Sequence, residues 1–141
     1  MLTGLSPKFM NILFAGSEVW PLIKTGGLGD VAYALPHALQ KQGADPRLIM
    51  PAYQDVMNQL DGFKVLTSIK PLNDQGLHPI RLLEAHHPQF EMPLWLIDSQ
   101  GLFDRPGNPY GQPDGHDWPD NAERFATFAH AVAQVACAEL D

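Results

Sequence analysis

The stretch SEVWPLIKTGGLGDV, residues 17–31, decides how the chain around it folds. An apolar run at 9–15 precedes it and is typical of a central strand covered on both faces. After it, apolar residues recur at helical spacing over 28–42 and predict a helix. A second strand is expected at 47–50, so this part of the chain predicts a right-handed strand–helix–strand unit and an α/β fold.

The glycine-rich turn within this stretch predicts an anion site. The first N–H groups of a helix lack partners inside the helix, and the helix dipole makes that end positive. Gly26, Gly27 and Gly29 have no Cβ atom that would keep a ligand away from the backbone. Lys24 adds a full positive charge just ahead of the turn. We therefore expect a phosphate or diphosphate here; the alternative is an ordinary turn beside a solvated lysine.

Two common phosphate-binding motifs do not match this turn. A P-loop places its lysine after the glycines, directly before Ser or Thr, whereas Lys24 precedes them. A dinucleotide-binding turn needs Gly-x-Gly-x-x-Gly and an acidic residue near the end of the second strand. The spacing here is Gly26-Gly27-x-Gly29, and the strand at 47–50 ends without an acid.

The middle of the chain predicts a different arrangement of strands. Three strands are expected, at 63–69, 80–85 and 94–98. Short, turn-rich links between consecutive strands favour antiparallel pairing. We therefore predict an antiparallel insertion between Gly62 and Glu91, after which the solidly apolar strand at 94–98 rejoins the central sheet.

Two helices are expected to pack on the sheet through apolar faces. The predicted face of the first helix contains Val31, Leu35, Ala38 and Leu39. The last helix is predicted to begin after a capping Asp120, with Glu123 completing a capping box. Its predicted inner face contains Ala122, Phe125, Ala126, Ala129, Val132, Ala133, Ala136 and Leu140. Cys137 is expected to be buried, and Arg124 to be solvated or paired with a loop carboxylate.

A long loop is predicted at 101–120, between the last strand and the last helix. A loop of this length in a compact domain is usually functional or disordered. Its proline, glycine, aromatic and charged residues favour an ordered binding loop at the carboxyl end of a strand, where open α/β sheets hold ligands. Asp104 and Arg105 within it either contact a ligand or form a local ion pair that shapes the loop.

Composition excludes several classes of protein. The chain has 141 residues, of which 45% are hydrophobic and 18% charged, as in soluble globular domains. The net charge of −7 argues against nucleic acid or an anionic membrane surface as partner. No apolar run approaches the ~20 residues that span a membrane. Residues 1–8 lack the apolar core of a signal peptide and predict a loose tail, and the single cysteine suits a cytoplasmic protein.

No metal ion and no cofactor are expected. His86 and His87 directly follow the predicted strand at 80–85, and adjacent residues of extended backbone point to opposite faces, so we do not expect these two to share an ion. The chain also lacks an Asp-x-Asp element, with which many transferases hold a metal at a diphosphate.

Two motifs resemble those of bacterial glycogen synthases and plant starch synthases. The first is E-x-x-P-x-x-K-T-G-G-L-G-D-V at 18–31, directly after one strand, and the second is L-F-D-R-P-G-N-P-Y at 102–110. The resemblance extends from Met10 to about Leu140. It implies a Rossmann-like three-layer domain, with a mainly parallel central sheet and an antiparallel strand insertion, in the N-terminal part of a two-domain B-type glycosyltransferase.

The resemblance also implies an activity. Members of this family transfer glucose, with retention, from ADP-glucose to the non-reducing end of an α-1,4-glucan. Residues 9–141 would then form part of the N-terminal, acceptor-side domain, without the second domain, and we expect them to be inactive alone. The alternatives are a related transferase that uses UDP-glucose or another acceptor, and a non-catalytic nucleotide- or glycan-binding module.

The resemblance assigns binding roles but no catalytic residue. The resemblance implies a donor-binding role for Lys24, and the anion site predicted at the turn adds Gly26 and Gly27 as residues that bind ADP-glucose. Candidate residues of a glycan-binding or cleft loop are Asp30, Asp104, Arg105 and Tyr110. No carboxylate of this chain is assigned a catalytic role.

Overall fold

The fold is described here from a computed structural model that covers residues 10–72 and 78–138. The predicted tail at 1–8 and the predicted inner-face residue Leu140 lie outside the described residues. The elements in chain order are β1 (Asn11–Ala15), α1 (Gly27–Lys41), β2 (Asp45–Pro51), α2 (Gln54–Met57), β3 (Lys64–Ile69), β4 (Ile80–Ala85), β5 (Leu94–Asp98) and α3 (Asn121–Cys137).

Within the described residues, five strands form one sheet in the order β1-β2-β5-β4-β3. β1, β2 and β5 are parallel, with Leu13 opposite Arg47 and Ile49 opposite Trp95. β4 pairs antiparallel with both β5 and β3. The predicted α/β sheet with a parallel centre and an antiparallel insertion is therefore confirmed, and β5 rejoins the centre as expected.

The core lies around β2. Leu48, Ile49 and Met50 are fully buried. Because consecutive strand residues point to opposite faces, burial of all three shows that both faces of the sheet are covered here. α1 and α3 both pack against β2. This is the predicted layered arrangement of helices and sheet.

The predicted inner face of α1 is wrong. Val31 and Leu35 are exposed (51% and 42%), whereas Gly29, Ala32 and Pro36 are buried. The physical reason is a close approach of helix and sheet. A Cβ atom added to Gly16, directly after β1, would lie 3.5 Å from the Ala32 Cβ atom, so only small residues fit between them.

The predicted inner face of α3 is also wrong. The residues of α3 that are buried are Arg124, Thr127, Phe128, Ala131 and Val135. All five alanines of the predicted face are exposed, and so is Cys137, which we expected to be buried. Alanine has too little apolar surface to fix the orientation of a helix. Two of the residues on the buried face, Arg124 and Thr127, are polar, so that face does not stand out as an apolar stripe in the sequence. Asp120 precedes the helix but makes no side-chain capping bond, because its carboxylate binds Arg105 instead.

Candidate functional site

The glycine-rich turn lies at the carboxyl edge of the parallel strands, as predicted. It follows β1, and the backbone of Gly16 is joined to β2 by a hydrogen bond from its N–H to the Ile49 carbonyl (3.0 Å). Buried Val19 and Leu22 anchor the segment before the turn. The backbone N–H of Trp20 donates to the Gly29 carbonyl (3.0 Å), which ties this segment to the first turn of α1.

Glu18 is the centre of the turn, and its carboxylate is almost fully buried (2% exposed). Its Oε1 accepts hydrogen bonds from the backbone N–H groups of Thr25 (3.2 Å), Gly26 (3.2 Å) and Gly29 (3.3 Å). Its Oε2 accepts hydrogen bonds from the hydroxyls of Thr25 (2.8 Å) and Tyr110 (2.8 Å). An anion of the protein itself therefore occupies amides that the sequence predicts for a bound phosphate.

The hydrogen bonds keep the Glu18 carboxyl ionised despite its burial. Burial raises the pKa of the Glu18 carboxyl, but the hydrogen bonds from Thr25, Tyr110 and Gly26 outweigh it and hold the pKa below its usual value. The carboxylate also lies at the N-terminus of α1, where the helix dipole favours negative charge.

The three glycines of the turn have different surroundings. A Cβ atom added to Gly29 would lie 2.7 Å from the Lys24 Cβ atom, so the close approach of these two segments requires glycine. A Cβ atom added to Gly26 or Gly27 would meet nothing within 4 Å. The backbone of Gly26 and Gly27 therefore borders open space.

Lys24 lies on the exposed side of the turn. Its Nζ atom is 2.7 Å from Asp30 Oδ2, and the side chains are 39% and 56% exposed. An exposed ion pair of this kind contributes only about 0–1 kcal/mol, because water screens it and two flexible side chains must be held in place. The ion pair with Asp30 is therefore weak and does not require the Lys24 ammonium for the stability of the turn.

Tyr110 connects the long loop to the turn. Its hydroxyl proton goes to Glu18, so the Ser17 hydroxyl, 2.7 Å away, donates to Tyr110 in turn. Ser17 also accepts a hydrogen bond at its carbonyl from the Tyr53 hydroxyl (2.7 Å). Burial and the neighbouring carboxylate raise the pKa of Tyr110, so its hydroxyl stays protonated and remains a donor.

The long loop at 101–120 is ordered by its own charged side chains. Arg105 makes a two-pronged contact with Asp120: Nη1 to Oδ1 is 2.8 Å and Nη2 to Oδ2 is 2.6 Å. The Arg105 guanidinium also lies over the Trp118 ring, 4.6 Å from its centroid. Asp104 accepts a hydrogen bond from the Gly101 N–H. Both residues therefore shape the loop, and the partner of Arg105 is Asp120 rather than its neighbour Asp104.

Arg124, in the first turn of α3, donates hydrogen bonds to backbone carbonyls of the same loop. Our prediction that it is solvated or paired with a loop carboxylate is wrong. It is 1% exposed. Its Nε donates to the Leu102 carbonyl (2.7 Å), and its Nη1 donates to the Pro109 carbonyl (3.0 Å) and to Asn121 Oδ1 (2.8 Å). Burial lowers the pKa of Arg124. The guanidinium fixes both ends of the 102–110 motif to the start of α3.

Replacing Arg124 with methionine is expected to lower the free energy of unfolding by about 2–3 kcal/mol, because buried carbonyl groups lose their donors. Urea unfolding of the chain measures this. Lys41→Met, which removes an exposed cation from the last turn of α1, is the control and should change stability by less than about 0.5 kcal/mol. An equal effect of the two substitutions would contradict the structural role of Arg124.

Known proteins with the same features identify the family. A sequence profile described as "Starch synthase catalytic domain" matches residues 11–141. The chain belongs to the starch synthase catalytic domain family. The resemblance drawn from the two motifs is thereby confirmed.

Individual members of the family agree with this assignment. The chain is 48% identical over 126 residues to glycogen synthase 2 of Nitrosococcus oceani, covering 89% of this chain and 25% of that protein. It is 46% identical over 127 residues to a glycogen synthase of Thioalkalivibrio sulfidiphilus, covering 90% and 26%. The catalytic domain of starch synthase IV from Arabidopsis thaliana, bound to ADP and acarbose, superposes with a TM-score of 0.68 at 27% identity, covering 89% and 24%. The chain thus spans about a quarter of the length of these relatives.

The predicted site residues fall into two groups in this family member. Lys24, Gly26, Gly27 and Asp30 lie together at the turn, and Tyr110 reaches them through Glu18. Asp104 and Arg105 instead form contacts within the loop at 101–120.

The roles of two charged residues, Glu18 and Arg124, were not predicted from the sequence. Glu18 stands in the quoted motif without an assigned role. An acidic residue ahead of a run of backbone donors at a helix N-terminus is the signal that points to it. The buried position of Arg124 has no such signal.

Two features are absent from the part of the chain that the structure describes: a membrane-spanning helix and a cluster of metal ligands. Within 10–72 and 78–138, no helix has the length and apolar character needed to cross a membrane. In the same part of the chain, no group of three or more His, Cys, Asp or Glu side chains could hold a metal ion.

Proposed function

We propose that this chain is part of a glycogen or starch synthase that transfers glucose, with retention, from ADP-glucose to the non-reducing end of an α-1,4-glucan. The observation that carries the proposal is the family match over residues 11–141. Its curated members at 44–48% identity are named glycogen synthases. The proposed place of action is the cytoplasm, in agreement with the single cysteine of the chain.

The donor site is proposed at the turn. The solved starch synthase IV domain is bound to ADP, a nucleoside diphosphate, and to acarbose. In this chain, a diphosphate at the carboxyl edge of β1 would face Lys24, whose ammonium is exposed, and the open backbone of Gly26 and Gly27. Asp30, which pairs with Lys24, and Tyr110, which donates to Glu18, are proposed to line the cleft, with Asp104 and Arg105 supporting its loop.

The chemistry of glucose transfer gives the Lys24 ammonium its proposed role. Cleavage of the bond between glucose and phosphate leaves negative charge on the diphosphate, and a fixed positive group lowers that barrier. Glu18 already accepts the Gly26 and Gly29 amides and is anionic, so it does not favour a second anion at those groups. We therefore place the main stabilisation of the leaving group on the Lys24 ammonium, with the Gly27 N–H, at the first position of α1, as the adjacent donor.

Residues 9–141 are proposed to form the first part of the acceptor-side domain of a two-domain enzyme. In this view donor and acceptor are held between two domains, and positioning of both substrates supplies a large part of the rate. The chain alone should then transfer no glucose.

Transfer assays with labelled ADP-glucose and glycogen test both parts of the proposal. The 141-residue chain should incorporate no label above background. The same chain joined to the remainder of the Nitrosococcus oceani enzyme should incorporate label from ADP-glucose, and much less from UDP-glucose. Incorporation by the chain alone would contradict the two-domain requirement. Equal or greater transfer from UDP-glucose would favour a related transferase, and no transfer from either donor would favour a binding module.

A further inference from the structure

Tyr110 is held on one side by the start of α3. Its carbonyl accepts two hydrogen bonds, one from the Trp118 N–H (3.1 Å) and one from Nδ2 of the Asn121 side chain (2.8 Å). Its ring contacts the Phe125 ring, with 5.7 Å between the two centroids. The position of this tyrosine is therefore set in part by side chains of α3.

Asn121, the first residue of α3, connects Tyr110 to a buried cation. Its Oδ1 accepts a hydrogen bond from Nη1 of Arg124 (2.8 Å), while its Nδ2 donates to the Tyr110 carbonyl. A guanidinium only donates and a carbonyl oxygen only accepts, so these two partners allow a single orientation of the amide. Arg124 is buried and also donates to the carbonyl of Pro109, directly before Tyr110. The Asn121 amide is thereby fixed from both sides.

Helix capping does not account for the side chain of Asn121. Asparagine is common at helix starts because its side chain accepts from the free N–H groups of the first turn. Here the side-chain oxygen accepts from a guanidinium, and the side-chain nitrogen donates to a carbonyl outside the helix. Both hydrogen bonds therefore serve the contact between α3 and the loop at 101–120.

On its other side, Tyr110 contacts the centre of the glycine turn. Its hydroxyl donates to Glu18 Oε2 (2.8 Å) and accepts from the Ser17 hydroxyl (2.7 Å). The same Glu18 carboxylate binds Thr25 at its hydroxyl (2.8 Å) and at its backbone N–H (3.2 Å). Tyr110 is therefore one of the groups that hold this carboxylate in place.

The position of Lys24 depends on the residues on either side of it. Ile23, before it, is joined to Val19 by two backbone hydrogen bonds (2.9 and 3.0 Å). Thr25, after it, has the Glu18 carboxylate as the partner of both its N–H and its hydroxyl. A shift of Glu18 would therefore move the segment that carries the ammonium. Displacements of about 1 Å are enough to weaken the action of a positioned group strongly.

We propose that Asn121 is a positioning residue for the donor site at the glycine turn. It acts through the Tyr110 carbonyl, the Tyr110 hydroxyl and the Glu18 carboxylate, which binds the residue next to Lys24. This inference rests on the proposed function, because it takes the turn as the site that binds ADP-glucose. It assigns to the start of α3 an effect on the affinity for the sugar nucleotide and not on the affinity for the glucan.

Asn121→Asp tests this route with a side chain of the same shape. The aspartate still accepts from Arg124, but it has no N–H for the Tyr110 carbonyl and places a negative charge beside that oxygen. In the chain joined to the remainder of the Nitrosococcus oceani enzyme, the KM for ADP-glucose should rise at least ~5-fold. The KM for glycogen should change less than ~2-fold. A purely structural defect would instead reduce the amount of active enzyme, which lowers kcat and leaves both KM values unchanged.

Asn108→Asp is the matched control, because it makes the same chemical change in the same loop. Asn108 Oδ1 accepts from the backbone N–H groups of Tyr110 and Gly111 (2.8 Å each), and an aspartate keeps both bonds. The KM for ADP-glucose should therefore change less than ~2-fold. An equal rise of this KM in both variants would assign the effect to the added charge and overturn the proposal.

Tyr110→Phe tests the same route from its other end and leaves α3 unchanged, so it applies even where Asn121→Asp lowers the yield of folded protein. Loss of the hydroxyl that donates to Glu18 should raise the KM for ADP-glucose at least ~5-fold. In the double variant, Asn121→Asp should add less than ~2-fold to the effect of Tyr110→Phe. Effects that multiply in the double variant, or an unchanged KM in Tyr110→Phe, would overturn the proposal.

Hydrogen exchange in the 141-residue chain gives a readout without glucose transfer. The Gly26 and Gly29 amides, which donate to Glu18, should exchange at least ~5-fold faster in Asn121→Asp than in the wild type or in Asn108→Asp. Unchanged exchange at both glycines would overturn the proposal. If the joined wild-type enzyme transferred no glucose, the proposed function would fail, whereas faster exchange would still support the action of Asn121 on the turn.

Discussion

Lys24→Ala is to be tested in the chain joined to the remainder of the Nitrosococcus oceani enzyme. There it is expected to raise the KM for ADP-glucose by about 10- to 150-fold, because a charge-assisted contact to phosphate contributes about 1.5–3 kcal/mol. The KM for glycogen should change little. Steady-state kinetics with each substrate varied in turn measures the effect. The prediction rests on the exposed Lys24 ammonium beside open backbone at Gly26 and Gly27.

The structure separates this binding effect from an effect on folding. The Lys24–Asp30 pair is exposed, so its loss should change the free energy of unfolding by less than about 1 kcal/mol. Lys41→Ala, at the other end of α1, is the matched control and should leave both KM values unchanged. Lys24→Arg should recover only part of the loss, since a planar fork replaces a compact ammonium. If Lys24→Ala left the donor KM and kcat unchanged, the donor site would have to be sought elsewhere.

The strands were the most predictable part of this fold. The predicted bounds 80–85 and 94–98 are those of β4 and β5, because each is an apolar run enclosed by turn-forming residues. α2 (Gln54–Met57) was not predicted. With four residues it completes barely one turn, which leaves no periodic pattern to detect.

The faces of the helices were not predictable in the same way. α1 meets the sheet through Gly29, Ala32 and Pro36, and its branched residues Val31 and Leu35 face outward. A hydrophobic pattern assumes that large apolar residues mark the buried side, whereas a close approach of backbones selects small ones. In α3 the pattern fails for a different reason: the charged residue Arg124 lies on the buried side of the helix.

The position of the candidate site was predictable from the sequence, whereas its hydrogen bonds were not. A strand, a glycine-rich turn and a helix start indicate where an anion binds, and the structure places them together. The Glu18 carboxylate that occupies the Gly26 and Gly29 amides also accepts a hydrogen bond from Tyr110, 92 residues away in the sequence. Local patterns carry no information on such a contact.

Replacing Glu18 with alanine is expected to lower the free energy of unfolding of the 141-residue chain by about 3–5 kcal/mol. The substitution leaves several donors without an acceptor in a buried place: the amides of Thr25, Gly26 and Gly29 and the hydroxyl of Tyr110. It also removes one of the negative charges at the N-terminus of α1, where Asp30 remains. Urea unfolding measures the loss. A change below about 1 kcal/mol would contradict the central role of this carboxylate.

Glu18→Gln separates the charge from the shape and gives the pH dependence a sign. The glutamine Oε1 still accepts the three amides, so this variant should lose about half as much stability as Glu18→Ala. Because the pKa of the Glu18 carboxyl is lowered on folding, its charge stabilises the protein above the usual carboxyl pKa of about 4.3 and ceases to do so as the pH falls through the folded value. The difference in unfolding free energy between the wild type and Glu18→Gln should therefore be constant from pH 6 to 7 and shrink below about pH 4. A difference in unfolding free energy that stays the same down to pH 3 would mean that the turn is stabilised by the oxygen atoms of residue 18 and not by their charge. The argument that the Glu18 charge disfavours a diphosphate at the same amides would then have no support.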